Sequence, residues 1–145
     1  MKKLKIKRPP YTKLFSGWIA LRNEGEAYDI LFVGGTKSSW LSNEDNRPLA
    51  ERVQDLMMSH GDFLSIRYWV SDKEQPLEEV QEEFLMELMG AANADYGHHY
   101  SELTGYLWTD EELMVGGHDL LKELKSHKDR FLHLEITFSQ EEPIK

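Results

Sequence analysis

The chain contains no cysteine, which removes disulfides, thiolate nucleophiles and Cys-based zinc or iron–sulfur sites from consideration. Any metal ion would have to be held by His, Asp and Glu. Nor does any apolar run approach the ~18 to 20 residues that span a bilayer. The opening "MKKLKIKRPPYTK" carries charge with no apolar segment behind it, so the expectation is a cytoplasmic protein with no export signal and no membrane partner. Internal repeats, low-complexity tracts and a linker long enough to separate two domains are also missing.

Basic charge is scarce over most of the sequence. Six of the 17 Lys and Arg residues (Lys2, Lys3, Lys5, Lys7, Arg8, Lys13) fall in residues 1–13, which hold no acid, leaving 11 against 26 acidic groups over residues 14–145. So acidic a body repels phosphate backbones, which makes nucleic acid a poor partner for it. Residues 1–13 read as a flexible basic arm stopped by Pro9 and Pro10. Residues 14–139 read as one domain and 140–145 as a frayed tail. With 40% hydrophobic residues there is enough apolar surface to offset chain entropy, so one folded core is expected.

"LFSGWIALRNEGEAYDILFV" (Leu14–Val33) contains two apolar, β-rich runs around a Gly-containing turn, the pattern of a hairpin. Pro48 opens a helix to about Ser59 in which Leu49, Val53, Leu56 and Met57 form one apolar stripe, closed by Gly61. "DFLSIRYWV" alternates as a strand with Leu64, Ile66, Tyr68 and Val70 on its core face. Pro76 opens a second helix with Leu77, Val80, Phe84, Leu85 and Leu88 apolar, and Glu78, Glu79, Glu82, Glu83 and Glu87 on its remaining surface. In "TDEE", Thr109 and Glu112 have the spacing of a capping box, which predicts a short helix from about Asp110. "VGGHDLLKELKSH" breaks that helix and restarts one carrying Leu120, Leu121 and Leu124, and "RFLHLEITF" is a final strand burying Leu132, Leu134, Ile136 and Phe138. The expected fold is α+β: a two-layer sandwich in β-β-α-β-α-α-β order, with a mostly antiparallel sheet of about four strands and helices packed on one face. Strand order and oligomeric state do not follow from the pattern.

"FVGGTKSSW" lacks the Gly spacing and the immediate helix of a phosphate loop. Metal-capable residues gather only in "GHHYSELTGYLWTDEELMVGGHDLL" (97–121). If residues 96–103 are helical, His98 and Glu102 share a face at i, i+4, and His118 with Asp119 supplies a second pair after Gly116 and Gly117. Such a His/carboxylate set suits zinc, manganese or ferrous iron. The plainer account makes these loop histidines, helix caps and a turn. No motif calls for an organic cofactor, and a divalent metal is the one candidate. His60 and His127 sit at helix ends and His133 on the outward face of the last strand. No serine has a readable base partner, and no carboxylate pair stands out for glycoside chemistry.

Among the aromatics, Trp18 reads as core, whereas Trp40 in a loop and Trp69 on the solvent face of a strand read as interface residues; the helix face of Glu78, Glu79, Glu82 and Glu83 reads as a solvated surface or an acidic docking face. Two functions follow as expectations. One is a small acidic, non-catalytic interaction protein engaging a basic protein surface. The other is a metal-binding module or small metal-dependent enzyme using His98, Glu102, His118 and Asp119. Small acidic proteins without motifs also occur in phages and mobile elements, an association rather than a deduction.

Overall fold

The computed structural model describes residues 9–24, 28–34, 47–77 and 86–140. They contain seven strands and two helices: β1 (Tyr11–Glu24), β2 (Tyr28–Gly34), α1 (Leu49–His60), β3 (Phe63–Ser71), β4 (Met86–Ser101), β5 (Tyr106–Val115), β6 (His118–Asp119), α2 (Leu120–Lys125) and β7 (Phe131–Ser139). The strands form one sheet in the order β2-β1-β7-β3-β4-β5-β6, and every pairing is antiparallel.

The helix-rich sandwich of about four strands is therefore corrected to a seven-stranded sheet. Two misread segments account for the difference. Leu88, expected on a helix, lies in β4, where burial alternates residue by residue: Leu88 and Ala92 are buried while Glu87, Met89, Ala91 and Asn93 are exposed. That is the period of a strand with one covered face. The helix expected from Asp110 is likewise β5, and Thr109 to Glu112 lie opposite His98 to Asp95. A local cap satisfies one or two N–H groups, whereas the ladder satisfies a whole strand and buries Leu113 and Val115, so pairing overrides the local signal. Residues 78–85, which carry most of the expected second helix, lie outside the described residues.

Elsewhere the sequence pattern and the structure coincide. β1 and β2 pair from Trp18↔Gly34 to Glu24↔Tyr28, as the hairpin reading requires. α1 begins after Pro48 and buries Leu49, Ala50 and Val53. Gly61 ends it with φ 119°, and its N–H bonds to Met57 O at 2.9 Å. A Cβ here would overlap the Ser139 carbonyl, so glycine lets the helix end close against β7. Leu132, Leu134, Ile136 and Phe138 are fully buried. Trp18 is buried too.

One cluster joins the inner faces of the strands with the buried residues of both helices. The helices thus fill the concavity of the sheet and do not form a separate layer. The sheet is rolled enough to bring its β2 edge back against β5. Ile30, Leu31, Phe32 and Val33 are all buried, so β2 is covered on both faces despite sitting at the end of the strand order.

Candidate functional site

β3 pairs with β4 only over Met86–Ala91. Beyond that point β4 pairs with β5 alone among the described residues, forming a ribbon that ends in the turn 102–105. On its inner face lie the pairs Ala92↔Val115, Ala94↔Leu113 and Tyr96↔Glu111, and on its outer face Asp95↔Glu112 and Gly97↔Asp110. Asp95 and Glu112 are both exposed, so two like charges face each other directly across the ladder. That arrangement destabilises a sheet by up to about 1 kcal/mol. No Lys or Arg occurs between Lys73 and Lys122. The ribbon and its turns therefore carry Glu87, Asp95, Glu102, Asp110, Glu111, Glu112 and Asp119 and no Lys or Arg. At the tip, Leu103 is 98% exposed and Tyr100 62%.

Glu111 differs from its neighbours because it points inward. Its side chain is only 2% exposed, and Oε1 lies 2.9 Å from Lys125 Nζ. The same oxygen accepts the Leu31 N–H at 3.0 Å. The carboxylate thus links β5, the edge of β2 and α2, closing the rolled sheet where no backbone ladder does so among the described residues. Oε2 is buried without a hydrogen-bond partner among the described residues. Burial pushes the Glu111 carboxyl above its ordinary value; Lys125 and the Leu31 N–H pull it back, and Asp119 adds a smaller upward push. Outside this bridge a shallow groove of about 430 Å³ runs between the ribbon and α2, with Glu112, Asp119, Lys122 and Lys125 on its walls.

The four residues considered for a metal are not brought together. His98 lies opposite Thr109, and Glu102 is in the tip turn. His118 lies opposite Val115 at the other end of β5, six residues or roughly 20 Å along the strand at ~3.3 Å per residue. Gly116 and Gly117 form the turn between β5 and β6 with φ 55° and 83°, as a two-residue hairpin with positive φ at both positions requires. Asp119 caps α2, its Oδ1 accepting the Lys122 N–H at 3.1 Å. Among the described residues no group of three or more His, Asp or Glu is disposed to hold a metal ion.

Of the expected interface residues, Trp40, Glu78, Glu79, Glu82 and Glu83 lie outside the described residues. Trp69 is half-buried on the outer face of β3, with the Arg67 guanidinium 5.7 Å from its ring centre. His133 faces outward from the main core, as expected, yet is only 5% exposed. Its Nδ1 is 2.8 Å from Ser16 Oγ and its Nε2 2.7 Å from the Gln75 carbonyl. The sequence shows no base partner for Ser16 because that partner lies 117 residues away. Only the β1–β7 register, Ser16↔His133, reveals it.

No family model, curated protein or solved structure matches the chain. Function is therefore read from side-chain placement alone. Among the described residues no helix is long and apolar enough to cross a membrane.

Proposed function

We propose that this is a small acidic binding protein, non-catalytic in this role, that engages a basic protein surface through the outer face and tip of the β4–β5 ribbon. The observation that carries the reading is the directly opposed, exposed pair Asp95 and Glu112 on a ribbon without Lys or Arg. A partner's Arg or Lys placed between the two carboxylates converts a repulsion into two charge-assisted hydrogen bonds. Leu103 at the tip supplies an apolar contact, and the field of the acidic body speeds encounter with cationic partners. A cysteine-free chain suits a cytoplasmic setting for this role.

The test is fluorescence anisotropy of a labelled nona-arginine peptide titrated with the protein at 50 and 300 mM salt. The double variant Asp95→Asn/Glu112→Gln is compared with a charge-matched control, Asp62→Asn/Glu74→Gln, at two exposed acids away from the ribbon. Affinity should fall with salt, and at low salt the ribbon variant should bind at least about fivefold more weakly than the control. Equal loss in the two variants, or binding indifferent to salt, refutes the reading.

A further inference from the structure

We propose that Ser16 is an activated nucleophile with His133 as its general base, giving the outer face of the β1–β7 pair a capacity to cleave small carboxylic esters.

The two residues are directly opposed across the ladder, with Ser16 exposed and His133 buried beneath it. A main-chain carbonyl can only accept a hydrogen bond, so His133 Nε2, 2.7 Å from Gln75 O, carries the ring proton of the neutral imidazole. Nδ1 then presents its lone pair, and the hydroxyl 2.8 Å away must donate to it. This is the order nucleophile, base, orienting group that activated serines require. The carbonyl replaces the usual carboxylate: it fixes the tautomer but stabilises the imidazolium less. The Phe131 ring meets the imidazole edge-on at 5.1 Å and the Trp18 ring at 5.4 Å, so packing holds the base in place. A cross-strand Ser–His contact on an ordinary sheet surface needs no buried imidazole held at both nitrogens.

In the proposed step Ser16 Oγ bonds to the acyl carbon and its proton passes to His133 Nδ1. The ester C–O bond breaks, and the leaving alkoxide takes that proton. Water, deprotonated by Nδ1, then attacks the acyl-serine, releasing the acid and restoring the hydroxyl. The net reaction is ester plus water to acid plus alcohol. The site lies on β1 and β7, neither of which pairs with β4 or β5.

The experiment is labelling of the full chain with a fluorophosphonate probe, read by intact mass and peptide mapping, with p-nitrophenyl acetate turnover in parallel. One adduct at Ser16 is expected. It should be absent in Ser16→Ala and formed at least about 100-fold more slowly in His133→Gln, the lower end of general-base contributions. Because His133→Gln removes two buried hydrogen bonds and can fail to fold, Ser16→Cys provides a second measurement. Its thiol should react with iodoacetamide at pH 7 faster in the native protein than in urea. No Ser16 adduct in the native protein, labelling equally fast in folded His133→Gln, or a Ser16→Cys thiol no faster when native overturns the proposal.

Discussion

Removing the carboxylate of Glu111 tests whether one side chain closes the rolled sheet. In Glu111→Ala the Leu31 N–H at the β2 edge loses its acceptor in a buried setting, which costs about 1–3 kcal/mol. Lys125 loses its partner as well, but its side chain is 30% exposed, so that loss is discounted to under about 1 kcal/mol. The sum is about 1–4 kcal/mol, or roughly 3–16 °C in Tm for a domain of this size. Glu111→Gln keeps an oxygen for Leu31 N–H and removes a buried charge whose Oε2 has no hydrogen-bond partner among the described residues. It should lie within about 1 kcal/mol of the parent. The pH dependence separates the two effects. Burial raises the Glu111 carboxyl in the folded protein, so the native state holds a proton that the unfolded chain has already released. The stability this contributes is complete below the ordinary carboxylate range and is lost as pH rises through the raised value. The glutamine variant has no such loss, so its stability relative to the parent should improve as pH rises above the ordinary carboxylate range and level off once the raised Glu111 value is passed. Urea unfolding followed by tryptophan fluorescence at several pH values measures both quantities. A Glu111→Gln protein as unstable as Glu111→Ala, or one whose relative stability falls with rising pH, refutes the reasoning.

Two further outcomes follow from the packing. Gly61→Ala should cost at least about 2 kcal/mol, since it places a side chain at φ 119° and against the Ser139 carbonyl; calorimetry showing less than half of that would contradict the closure of α1 against β7. Tyr68, whose hydroxyl donates to Glu123 Oε1 at 3.2 Å, has its phenol pushed well above the usual range, first by burial and then by Glu123. Its contribution is present below pH ~10 and lost above it as the unfolded phenol ionises. Tyr68→Phe should therefore cost about 1 kcal/mol at pH 7 and flatten the alkaline decline in urea-unfolding titrations; an unchanged decline would contradict this.

The elements legible in the sequence were those whose apolar spacing is unambiguous: the stripe of α1, the alternation of β3 and β7, and the Leu120, Leu121 and Leu124 face of α2. β4 was not legible because beyond Leu88 its inner face continues with Ala92 and Ala94, small residues with weak strand preference. Their size has a tertiary cause, since α1 packs against β4 and larger side chains there would hold the helix away. β5 was disguised by a genuine capping pattern in a segment whose partner strand had itself gone unrecognised. The acidic ribbon was half legible: the charge was visible, but its placement on opposed strand positions needed the register. The Glu111–Leu31 and Ser16–His133 contacts span 80 and 117 residues, and no local pattern encodes a pairing at that range.

The position of β7 has a consequence for how the chain reaches this structure. It is the last of the described strands in sequence yet lies between β1 and β3, hydrogen-bonded to both. Until residues 131–139 leave the ribosome, the β2–β1 hairpin and the β3–β4–β5–β6 block have no ladder joining them among the described residues, and each presents the edge that β7 later pairs. The contacts that complete the core are thus among the longest-range in the chain, which makes folding slow. The newly made chain depends on those open edges staying unpaired until β7 arrives.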